Sequence, residues 1–124
     1  MKMKALSIKP PWIELILSGR KTIEVRSWKT DYRGPLLLVS SKSLDPYGAS
    51  LFPYSDTLLP VLRGHAVAIC DLRFCQRMIV CDERHALCNY YPGFYSWLLR
   101  RVKPIKPFPV RGMLRLFEVE VPDD

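Results

Sequence analysis

Residues 4–41 read KALSIKPPWIELILSGRKTIEVRSWKTDYRGPLLLVSS, and the changes of period inside this stretch decide the fold class. KALSI (4–8) has the length and composition of a strand, and the KPP that follows ends it. Pro11 suits the first turn of a helix, where its missing N–H has no partner to lose. From there Ile13, Ile16 and Leu17 share one face at helical spacing, Trp12 and Leu15 widen it, and Gly19 is placed to stop the helix. Period two then takes over. In KTIEVRSW (21–28), Ile23 and Val25 point one way while Thr22, Glu24, Arg26 and Trp28 point the other. TDYRG supplies the turn formers Asp31 and Gly34. PLLLVSS (35–41) is an unbroken apolar run, the pattern of a strand covered on both faces.

Further along the chain, residues 43–63 hold three prolines and no clean period, which predicts a loop with a helical turn or two. A connection of that length in a compact domain is often functional. GHAVAICDLRFCQRM (64–78) is the longest strand candidate. CDERHALCNYYPG predicts a loop with a helical turn, FYSWLLRRVKPI (94–105) a bent strand, and LRLFEVEV (114–121) the last strand. About six strands and one clear helix predict a mostly β, α+β domain spanning 1–124. Its expected form is a small, mainly antiparallel barrel with the helix after the first strand packed at its side or mouth.

Composition narrows the class. The chain has 124 residues, 48% hydrophobic and 25% charged, and no apolar run of the ~20 residues a membrane helix requires. Its first residues lack the apolar region of a secretory signal, so a cytoplasmic protein is expected. The formal charge is +7, from 19 Lys and Arg against 12 Asp and Glu. The surplus lies at the two ends of the chain, so a fold that unites them presents one positive face, suited to a polyanion. Cys70, Cys75, Cys81 and Cys88 read as reduced thiols. Cys81, His85 and Cys88 share one face of a short helix but make only three ligands, so neither a metal nor a cofactor is expected.

The charged row of 21–28 is either a solvated surface or the wall of a pocket. As surface, a Glu24–Arg26 pair contributes at most about 1 kcal/mol. As a wall, Arg26 is a fork for phosphate or a clamp on Glu24, Trp28 a platform for a base, and Lys21 a point charge or reactive amine.

The segments 6–41, 64–76 and 95–121 together resemble the ASCH domain family, whose fold is similar to that of the PUA domain. They carry a Pro-Trp helix, the run G-x-K-x-x-E-x-R at 19–26, an R-G turn before an apolar strand, an acidic strand residue in Asp71, and a closing W-x-L strand with a P-x-P-x-x-G turn. Residues 43–63 and 77–93 have no clear counterpart and read as variable insertions. The resemblance implies a barrel with a cleft that binds RNA or DNA, or a nucleoside or nucleotide. It places Lys9, Lys21, Glu24, Arg26, Trp28, Lys42 and Asp71 at that cleft, with Arg33 and Arg111 as further nucleic-acid contacts. One branch of the family hydrolyses N4-acetylcytidine with a lysine, a threonine three residues later and a glutamate. Lys21 matches the lysine and Asp71 stands for the glutamate, but Glu24 occupies the threonine position. Thr22 lies on the same strand face about 7 Å away. Other members are ribonucleases, for which Lys21 and Glu24 supply an acid and a base.

Three readings follow. The first is an RNA-binding module with Lys9, Lys21, Arg26 and Lys42 on phosphates and Trp28 under a base. The second is a hydrolase of a modified nucleoside, or a ribonuclease, with Lys21, Glu24 and Asp71 catalytic. The third is a protein-interaction domain. Trp12 is expected in the core, Trp97 in the core or near the cleft, and RRVKPIK (100–106) as a charged edge or a phosphate stripe.

Overall fold

The structure, a computed structural model, describes residues 1–123. Six strands form one sheet: β1 (Lys2–Ile8), β2 (Ile23–Arg26), β3 (Gly34–Ser40), β4 (His65–Arg77), β5 (Tyr95–Pro109) and β6 (Phe117–Glu120), in the order β2-β5-β4-β3-β1-β6. Among the described residues only β1 and β3 pair in parallel; the other neighbours are antiparallel. Three short helices accompany it: α1 (Trp12–Leu17), α2 (Pro46–Leu51) and α3 (Glu83–Ala86), the last preceded by a 3-10 turn at Val80–Asp82. Among the described residues no helix is long and apolar enough to cross a membrane.

The sheet does not close into the expected barrel. β2 and β6 have four residues each and stand at opposite ends of the order. The edge at β2 is engaged by the α3 region instead, where the Thr22 N–H donates to the His85 carbonyl at 2.9 Å. Register shifts along β4 and β5 bend the sheet without joining its ends.

Alternation along the strands builds two cores. Leu6, Ile8, Leu36, Leu38, Cys70, Leu72, Trp97 and Leu99 pack beneath α1 with Ile13 and Ile16. Met3, Ala5, Leu37, Val39 and Ala66 pack on the reverse face. Residues Leu36 to Val39 are all fully buried, as the apolar run predicts. Trp97 is a core residue, and Trp12 is only half-buried, above that core.

The two segments without periodicity are ordered by local chemistry. Asp45 caps α2 by accepting the Tyr47 N–H at 3.1 Å, with Pro46 opening the helix. Gly48 then packs on Trp12, where a Cβ would lie 2.9 Å from the indole. The buried carboxylate of Glu14 on α1 accepts the Tyr54 hydroxyl and the Val61 N–H, each at 3.1 Å, and so ties down the return of this segment. Farther on, Asp82 accepts the Ser96 hydroxyl at 2.8 Å and holds the α3 region to β5.

Candidate nucleic-acid interface

Period two on β2 turns Glu24 and Arg26 toward α1, and that row is more buried than a solvated surface. Lys21 is 3% exposed and Glu24 is 7% exposed. The three charges form one network. Arg26 donates to Glu24 Oε2 from Nε at 3.0 Å, with Nη2 at 2.9 Å from the same oxygen, and Nη2 donates to the Ser7 carbonyl at 2.8 Å. Lys21 Nζ stands 3.7 Å from Glu24 Oε1 and donates to the Ala86 carbonyl. It also lies 4.8 Å from the Trp12 ring centroid. Burial pushes the Lys21 amine below its usual pKa, against the opposing pull of Glu24 and Cys88.

This network sits where two hollows meet. A recess of about 170 Å³ is lined by Trp12, Lys21, Glu24, Val25, Asp45, Tyr47, Cys88, Tyr91 and Phe94. An outer cleft of about 440 Å³ shares Trp12 and Glu24 with it and adds Ser7, Lys9, Arg26, Trp28, Ser41 and Arg115. The cleft continues, through Ser7, Ser41, Met113 and Leu114, into a groove of about 840 Å³ flanked by Lys42 and Arg111. Trp12 is held upright by its indole N–H, which donates to Asp45 Oδ2 at 2.7 Å. Trp28 meets Trp97 edge-on at 4.8 Å, and the Arg115 guanidinium lies 5.0 Å from the Trp28 ring centroid.

The C-terminal wall comes from close backbone approach. Gly112 lies against β1 so tightly that a Cβ would fall 2.8 Å from Ser7 Oγ. This brings Arg111 and Arg115 beside Lys9 and Lys42, and the surplus charge of the two chain ends meets at one cleft.

Of the residues expected at the site, Lys9, Lys21, Glu24, Arg26, Trp28, Lys42 and Arg111 are gathered at the recess, cleft and groove. Two are placed elsewhere. Asp71 alternates with the core residues Cys70 and Leu72, so it faces the reverse of the sheet, opposite Arg100 in register. Arg33 spends its guanidinium on the carbonyls of Thr30, Tyr32 and Cys75, and braces the turn before β3. Arg26 is an anchor for Glu24 more than a free phosphate fork. Among the described residues no three His, Cys, Asp or Glu side chains cluster as a metal site, and Cys81 is exposed while Cys88 lines the recess.

Sequence reasoning missed Asp45, Tyr47, Tyr91, Phe94 and Arg115. The one signal pointing to the first two was the unusual length of 43–63. The others are brought in by long-range packing.

The model of the ASCH domain matches residues 6–108. Among solved structures, a tyrosine-to-phenylalanine variant of the ZmASCH protein from Zymomonas mobilis superposes with a TM-score of 0.64 at 16% identity, over 94% of this chain and 89% of that one. A serine-to-alanine variant of the same protein gives 0.65 at 17% identity, over 94% and 87%. No curated sequence is significantly similar to the chain.

Proposed function

Because the chain belongs to the ASCH domain family, whose PUA-like members are in general RNA-binding, we propose that its cleft binds single-stranded RNA and admits one unstacked base to the recess. The observation that carries this reading is the union of an exposed cationic cleft with a small aromatic recess at whose threshold stands Glu24. Lys9, Lys42, Arg111 and Arg115 are exposed and receive phosphates. The Trp28–Arg115 stack offers a planar cation to a base. Trp12, Tyr47, Tyr91 and Phe94 wall the recess. Glu24, held by Arg26, accepts from an exocyclic amine or a ribose hydroxyl at its mouth.

Binding of a short RNA across a salt titration tests this. Four phosphate contacts on a single strand give a slope of log K against log salt of about −3. Arg115→Ala lowers the magnitude of that slope by about 0.7. Glu24→Gln leaves the slope alone and alters base preference. Affinity that ignores salt, or no affinity at low salt, refutes the reading.

A second reading is favoured by the lowered pKa of Lys21 beside a carboxylate: hydrolysis of N4-acetylcytidine, or cleavage of RNA, with Lys21 and Glu24 catalytic. The expected third group, Asp71, faces away, so this chemistry would rest on the pair alone. Acetate release or RNA shortening that disappears in Lys21→Ala supports it. Absence of both binding and turnover leaves the third reading, a surface for another protein.

A further inference from the structure

Arg100 and Arg101 are consecutive in β5, and in a regular strand they would point to opposite faces. Here Arg101 adopts φ +54, close to shifts in the β4–β5 register. Both residues line one hollow of about 540 Å³ together with Arg73, over Phe74 and Leu98. Bulges re-aim side chains in this way next to functional sites, and left-handed backbone at a residue with a Cβ is strain that clusters there. No carboxylate lies within ion-pair distance of the trio among the described residues. Among the described residues the ion pairs engage only Met1, Lys21 and Arg26 as cations, although Asp71 stands opposite Arg100 in register. The cleft leaves these arginines unused. Leu98 pairs with Ile23, which packs with Met78 and Ala86, so the hollow opens on the reverse of the sheet from Trp97 and the RNA cleft.

We propose that the hollow formed by Arg73, Arg100 and Arg101 is a second anion site, which holds a phosphate of an RNA backbone on the reverse face. Guanidinium forks match phosphate oxygens in pairs, and the half-buried Phe74 and Leu98 beneath them thin the water that would screen the contact. An RNA long enough to pass round this end of the sheet is gripped on both faces. The proposal rests on the RNA reading of the cleft.

The test compares an RNA of about six nucleotides, enough for the cleft alone, with one of about thirty. Two variants are used: the double variant Arg73→Ala/Arg100→Ala, and Arg101→Gly, which removes a charge while suiting the left-handed backbone. Both should bind the short RNA as the parent does. The double variant should lose about ten-fold affinity for the long RNA, and the magnitude of its salt slope should fall by about 0.7, the share of one phosphate. Arg101→Gly should lose part of the same affinity while its Tm holds or rises. Long-RNA affinity and slope unchanged in these variants overturn the proposal, as does a parent that binds long RNA no better than short. If the parent binds neither RNA, the cleft reading fails by itself. Inorganic pyrophosphate then probes the hollow alone: saturable amide shifts confined to residues 73–74 and 98–101 support an anion site, and their absence overturns it.

Discussion

Lys21 carries the most information of any single residue, because a buried amine must answer for its proton. Desolvation holds its pKa below the ordinary 10.5, with Glu24 opposing. Unfolding restores the ordinary value, so between the two values the unfolded chain binds more protons and stability rises with pH. Lys21→Met lacks this dependence. The stability of the parent relative to Lys21→Met should therefore improve from neutral pH to about pH 10, read from urea melts; a flat difference contradicts the assignment. Glu24→Ala should cost about 3 kcal/mol, because it leaves Lys21 buried without its counter-charge. Arg26→Ala should cost less, about 1–2 kcal/mol, since Lys21 keeps its partner. The pairing of Glu24 with Arg26 was legible because a period of two is local, whereas Lys21, three residues before Glu24, departs from that period and was placed only by the family resemblance. The orientation of Asp71 was not legible. Both rows of its strand are largely apolar, so alternation separates them without telling which lies under the cleft.

At the scale of elements, α2 shows what a six-residue helix withholds from a periodicity argument. One and a half turns repeat nothing, so the segment read as a loop with a helical turn or two, without the place of that helix. Its position is set instead by the Asp45 cap and by contact with Trp12. Gly48→Ala sets two effects against each other: a helix-propensity gain of up to about 1 kcal/mol and an overpacking loss of about 1–3 kcal/mol against a rigid indole. The loss should prevail, with net destabilisation of about 1 kcal/mol. The Trp12 indole N–H resonance should shift as its bond to Asp45 breaks, and RNA affinity should fall. An unmoved resonance would show that α2 yields rather than Trp12. The strand limits tell a similar story. The expected span 114–121 shrinks to β6 because Arg115 takes φ +61, a local departure that alternating side chains do not reveal.

For the whole molecule, the strand count was legible and the closure was not, because a barrel needs its first and last neighbours in the sheet to meet. Nothing in β2 or β6 as isolated segments reports whether they do. Thiol chemistry offers a measure of how the sheet opens as a unit. Cys70 is 2% exposed, and burial raises its pKa to about 12, whereas Cys81 is exposed. In native buffer near pH 8 a thiol reagent should label Cys81 at once and Cys70 only as fast as global unfolding permits. Mass spectrometry across a urea series checks this. Labelling of Cys70 ahead of unfolding would reveal a local opening of β4. The antiparallel pairing of β1 with β6, and the lodging of Gly112 against Ser7, also have a consequence for synthesis. Lys9 is translated early and Arg115 late, yet they face one another across the same cleft. A nascent chain on the ribosome is thus cationic but has no groove. On the RNA reading proposed above, the groove is complete only once β6 has paired with β1 and Gly112 has lodged against Ser7.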